Sequence, residues 1–98
     1  MAKLIKTNGD ILEVSPKNGT DFKLEELQEF VGGYIEVVNL LDDTPLAIDD
    51  AILVVNEEGK LNGLPVNPVA TAVYNVCMQP YEDVVVGDVL LCSSDEVK

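Results

Sequence analysis

The sequence predicts an α+β fold, a small, mostly antiparallel sheet with two helices packed on it, and three observations lead there. Asn8-Gly9 sits between two short alternating runs, the strongest local signal for a β-hairpin. Residues 51–55, AILVV, form a continuous apolar run of strand length, as expected of a strand buried on both faces. Two other stretches, one after Asp21 and one after Asn67, repeat apolar residues at helical spacing. Strands and helices mixed in 98 residues allow one domain with one modest core. The expected order is β-β-α-β-β-(β)-α-β, with both helices on one face of the sheet.

Each element has its own justification. In the first hairpin Leu4 is expected opposite Leu12 or its neighbours. Residues 15–21 carry Pro16 and a second Asn-Gly pair, Asn18-Gly19, and read as a loop. Leu24, Leu27 and Val31, with Phe30 alongside, mark the first helix. Asp21 is the expected cap, and Glu25 and Glu26 suit the positive end of the helix dipole. Gly32-Gly33 ends it, since a glycine takes the left-handed C-terminal position. Residues 34–41, YIEVVNLL, are rich in β-branched and aromatic side chains and predict a strand. Asp42-Asp43-Thr44-Pro45 breaks it, and residues 46–50 carry no decided pattern. After AILVV, Asn56-Glu57-Glu58-Gly59 turns the chain and Lys60-Leu61 begins a short return strand.

Asn67 is a favourable N-cap and Pro68 fits the first helical position. Val69, Ala72, Val73, Val76 and Cys77 then form an amphipathic stripe, which Pro80 stops. Residues 84–92, VVVGDVLLC, predict a strand interrupted at Gly87. The domain spans residues 1–98, with 93–98 expected as a frayed acidic tail.

Charge narrows the function classes. There are 18 acidic against 6 basic residues, a net of −12; all the basic residues are lysine, and histidine is absent. Such a field repels nucleic-acid backbones and anionic membranes. Without histidine the commonest general acid or base is missing; without arginine so is the best bidentate holder of phosphate. No apolar run approaches the roughly 18 residues of a membrane span, and the N-terminus has no apolar h-region. Cys77 and Cys92 read as reduced core residues. A cytoplasmic protein of a bacterial host cell is expected. No catalytic residue, metal ligand or cofactor is assigned: Ser93-Ser94 have no base beside them, and the paired aspartates Asp42-Asp43 and Asp49-Asp50 lack a calcium-loop spacing.

Three motifs could build a site, and each also has a purely structural use. Gly32-Gly33-Tyr34 with Glu36 is first a helix stop leading into a strand. Yet two glycines exceed what the stop needs and permit close approach of a ligand, and Tyr34 offers a stacking face. Asn56-Glu57-Glu58-Gly59 is first a turn with solvated glutamates; its carboxylates could also receive hydroxyl or amino groups. Asn67 is first a cap, but a helix start can hold an anion, with Lys60 assisting.

These same pieces, Gly32-Gly33-Tyr34-Ile35-Glu36, Asn56-Glu57-Glu58-Gly59, Leu64-Pro65-Val66-Asn67 and Gly87-Asp88, resemble the domain-of-unknown-function family numbered 3846. The resemblance covers nearly the whole chain, the first hairpin matching only in style. It implies a phage or mobile-element context, in which small accessory proteins counter host defences, and no settled activity.

Two functions follow as expectations. The first is a non-enzymatic protein that binds a nucleotide-like signal of a host defence. Its site would comprise Gly32, Gly33, Tyr34, Glu36, Asn56, Glu57, Glu58, Gly59, Lys60 and Asn67, completed across a homo-oligomer interface because so small a subunit has little room for a deep pocket. The alternative is an acidic protein-interaction module, including a DNA mimic that inhibits a host nuclease or restriction system. It would meet a basic protein partner through Asp21, Glu25, Glu26 and Glu29.

Overall fold

The computed structural model describes residues 2–40, 50–78 and 83–97. They form an antiparallel sheet of strands β1 (Ala2–Ile5), β2 (Ile11–Val14), β3 (Ile35–Asn39), β4 (Ala51–Asn56) and β5 (Val89–Ser93), with helices α1 (Leu24–Val31) and α2 (Pro68–Cys77). The strand order is β2-β1-β5-β4-β3. Asp42-Asp43-Thr44-Pro45, residues 46–49 and the expected stop at Pro80 lie outside the described residues.

The first hairpin follows its sequence signal. Leu4 pairs with Leu12, and Gly9 adopts φ 97° while its N–H donates to Lys6 O at 3.0 Å. Lys6 N–H donates to Asp10 O at 2.9 Å, which leaves residues 7–9 as a three-residue loop with glycine in the left-handed position, a form well matched to strand twist. Lys3 and Glu13 face each other across the pair and bridge at 2.7 Å; the ammonium holds the Glu13 carboxyl below its usual range.

The helices cover opposite faces of the sheet, not one. Side chains alternate along a strand, so Ile52 and Val54 of β4 point one way and Leu53 the other. Phe22, Leu27 and Val31 pack with Ile52, Val54, Leu90 and Cys92. Ala70 packs with Ile5, Leu53, Val89 and Leu91 on the other side. The physical reason was already present in AILVV: a strand apolar on both faces needs cover on both. The middle strand β5 is buried in the same way at Val89, Leu90, Leu91 and Cys92, and each such leucine contributes about 1.5–3 kcal/mol. Burial pushes the Cys92 thiol up to about 12.

Other expectations shift in detail. The inner face of α2 is Ala70, Val73 and Cys77, while Ala72 and Val76 face outward. Few polar residues on α2 mark its outer side, so the stripe had no sharp edge. Asp21 does not cap α1. Lys23 is the N-cap residue, and Glu26 reaches back to accept from Lys23 N–H at 2.7 Å and Lys17 N–H at 3.0 Å. Lysine has no acceptor, so only this half of a capping box forms. Those two N–H groups, Lys23 first, hold the Glu26 carboxyl below its usual range.

The short return strand does not form: Lys60-Leu61 lie within a run of turns. Strand β5 begins at Val89, after an isolated bridge joining Val66 to Val86. Residues 93–97 are not frayed. Ser94–Glu96 form a 3-10 turn, Phe22 N–H donates to Glu96 O at 2.8 Å, and Val97 packs against the α1 core.

Candidate functional site

Strands β3 and β4, and the turn that follows β4, position most of the candidate residues. Helix α1 stops where Gly32 takes φ 79°, its N–H donating to Gln28 O at 2.8 Å, and Gly33 N–H donates to the same carbonyl at 3.1 Å. This places Tyr34 beside the 56–59 turn, and Glu57 N–H donates to Tyr34 O at 2.8 Å. Asn56 ties the pieces together: its Nδ2 donates to Val31 O at 3.1 Å and its Oδ1 accepts from Glu58 N–H at 2.9 Å. A Cβ on Gly33 would meet that Nδ2 at 2.9 Å. The second glycine thus has a structural reason, room for the Asn56 amide.

Two hollows flank this turn. The larger, about 310 Å³, lies on the α2 side of the sheet. Val38, Leu53 and Val55 form its floor, Tyr74 of α2 and Val84, Val85 and Val86 its far wall, and Glu36, Asn56, Glu57, Lys60 and Asp83 its polar rim. Glu36 pairs with Val55, and Val38 with Leu53, across the β3–β4 ladder, which is why these four share a face. Lys60 Nζ bridges to Asp83 Oδ1 at 2.6 Å, and this ammonium, with Val84 N–H at 2.7 Å, holds the Asp83 carboxyl below its usual range. The second hollow, about 280 Å³, is lined by Gln28, Gly32, Gly33, Tyr34, Asn56, Glu58 and Asn62. Tyr34 keeps 66% of its surface exposed there.

Gly32, Gly33, Tyr34 and Glu58 therefore meet in one hollow, Glu36, Glu57 and Lys60 in the other, and Asn56 borders both. Gly59 is buried, and a Cβ there would meet Val86 Cγ2 at 2.9 Å; it shapes the wall without offering a polar group. Asn67 stands apart. Its Nδ2 donates to Ile5 O and Gly87 O, each at 2.9 Å, and its Oδ1 accepts from Ala70 N–H at 3.0 Å. Its exposure is 0%, so both amide protons and the acceptor are committed to the fold and none faces either hollow.

Residues that the sequence did not point to complete the larger hollow. Positions 36 and 38, paired with 55 and 53, would have revealed the shared face had the register been known. Asp83 carried no signal, being 23 residues from Lys60. Chemically, the cleft offers an apolar floor for a ring or alkyl body and carboxylates for hydroxyl or amino donors. Among the described residues no group of His, Cys, Asp and Glu stands close enough together to hold a metal ion, and no helix is long and apolar enough to cross a membrane.

No curated protein and no solved structure matches the chain significantly. One family model does match, over residues 4–98, a span that takes in β2 to β5, both helices, the turn between the hollows and the second half of β1. The chain therefore belongs to the family described as Domain of unknown function (DUF3846).

Proposed function

We propose that this protein is a non-enzymatic small-molecule binder, an accessory protein of phages or mobile elements that takes up a nucleotide-like signal of a host defence. The observation that carries the reading is the cleft of about 310 Å³ above Val38, Leu53 and Val55, with Glu36 and Glu57 on its rim. That volume lies at the lower end of ligand sites and matches a single ring system with a sugar better than a dinucleotide. A base or sugar ring packs on the floor of Val38, Leu53 and Val55, and hydroxyl groups donate to the two glutamates. Tyr34, on the other side of the turn, offers a second stacking face.

Native mass spectrometry of the protein purified from bacterial cells tests this. Val84 lines the cleft and is 44% exposed, so Val84→Trp obstructs the cleft without disturbing the core. The reading expects a stoichiometric small-molecule adduct on the wild type and its loss from folded Val84→Trp. An adduct that survives the obstruction, or none on the wild type, removes the cleft from consideration.

A second reading draws on α1. Glu25 and Glu29 are exposed beside Leu24, which is 54% exposed, and such a mixed acidic and apolar strip suits a basic protein partner such as a nuclease. Glu26 contributes nothing to it, being turned inward as the cap. Inhibition of such a nuclease should weaken steeply with salt and fail with Glu25→Lys/Glu29→Lys; inhibition unchanged by both removes this reading.

A further inference from the structure

Lys60 is the single cation among the described residues lining the larger cleft, and Asp83 holds it at 2.6 Å. Asp83 is itself fixed from two sides. Its Oδ1 also accepts from Val84 N–H at 2.7 Å, and its own backbone N–H donates to Asn75 Oδ1 of α2 at 3.0 Å. The carboxylate therefore cannot swing clear of Lys60 without breaking the link to the strand-side backbone. Glu36 and Glu57 add two more carboxylates to the rim. Among the described residues, an entering anion meets these three negative groups and one ammonium that is already neutralised.

We propose that Asp83 is a specificity-determining residue: by pinning Lys60 on the rim it makes the cleft accept an uncharged or cationic group and reject phosphate. The inference rests on the cleft being the binding site proposed above. A nucleotide-like ligand then enters by its nucleoside part and leaves its phosphates in water. The exposed ion pair adds little to stability; its consequence is discrimination through an unfavourable like-charge contact.

The test titrates inorganic phosphate at low ionic strength and follows Lys60, Tyr74 and Val85 by NMR. The wild type should show no saturable shift. Asp83→Asn should show one centred on these residues, with half-saturation about tenfold or more below any wild-type response. Asp83→Ser, which removes the carboxylate with a different side chain, should do the same and guards against an effect peculiar to asparagine. Adding Lys60→Met to either variant should abolish the shift. A wild type that binds phosphate at Lys60 as tightly as the variants overturns the proposal, as do folded Asp83→Asn and Asp83→Ser proteins that remain indifferent to phosphate. Because phosphate is titrated, this result is independent of whether a native adduct is found, and the two readings can fail separately.

Discussion

Asn67 and Asn56 are both buried asparagines in adjoining motif pieces, and they serve the molecule differently. Asn67 satisfies the carbonyls of Ile5 and Gly87 and the N–H of Ala70, joining β1, the approach to β5 and the start of α2. Asn56 satisfies Val31 O and Glu58 N–H, yet both hollows open beside it. One asparagine closes space and the other divides it. The lesson is that a cap residue at a helix start gives no anion site when every polar atom is already committed, whereas a turn fixed by one internal amide leaves its glutamates free to face outward.

The widest separation between the two should appear in stability. Asn67→Ala strands two buried carbonyls and a buried N–H and removes a helix cap, a loss of about 3–5 kcal/mol. Asn56→Ala frees one buried carbonyl and one part-buried turn N–H, two groups against three and no helix cap, a loss of about 1–2 kcal/mol. Urea unfolding of both variants checks the ordering; equal losses would erase the distinction drawn here.

A double-mutant cycle sharpens the role of Asn56. Gly33→Ala places a Cβ 2.9 Å from the Asn56 amide and should cost about 1–2 kcal/mol. In the Asn56→Ala background that clash has no partner, so the second substitution should be nearly neutral. Additive losses would mean that Gly33 is required for some other reason.

Acid titration bears on the α1 entry. The Glu26 carboxyl is held below its ordinary value of 4.5 by Lys23 and Lys17 N–H groups. A depressed folded value means that its contribution is full above about pH 4.5 and fades as pH falls through the folded value. The many other carboxylates relieve mutual repulsion over the same range, so the quantity to measure is wild type minus Glu26→Gln. That difference should be largest near neutrality and shrink on acidification; a constant difference would contradict the capping role.

The smallest effect is expected at Tyr34. Among the described residues its hydrogen bond is made by the backbone carbonyl, which accepts from Glu57 N–H, so Tyr34→Ala should change stability by no more than about 0.5 kcal/mol. A larger loss in thermal unfolding would show that the ring supports the turn, and would weaken its reading as a free stacking face.

Much of this architecture was legible in the residues. Asn8-Gly9 announced its hairpin, Gly32 the end of α1, and Asn67-Pro68 the start of α2, because each signal is local backbone chemistry. What could not be read depended on distant partners. Glu26 resembled a dipole-facing surface charge until its carboxylate was seen accepting from Lys17. The face of α2 was hidden because valine, alanine and cysteine occupy most of its circumference. Phe22, stacked edge-on against Phe30 at 5.8 Å, anchors a core that periodicity within the helix alone did not include. Within the candidate site, the meeting of Tyr34 with the 56–59 turn followed from adjacent strands, while the reach from Lys60 to Asp83 crosses the whole of α2 and leaves no trace in spacing.

The central claim is that the cleft between β3–β4, α2 and residues 83–86 receives the ligand. Chemical-shift mapping of the wild-type protein with adenosine tests it most directly. Saturable shifts confined to Glu36, Glu57, Tyr74 and Val85, with Glu25 and Glu29 silent, are the predicted result. Saturable shifts along the outer face of α1, or no shift in the cleft at any concentration, would contradict it.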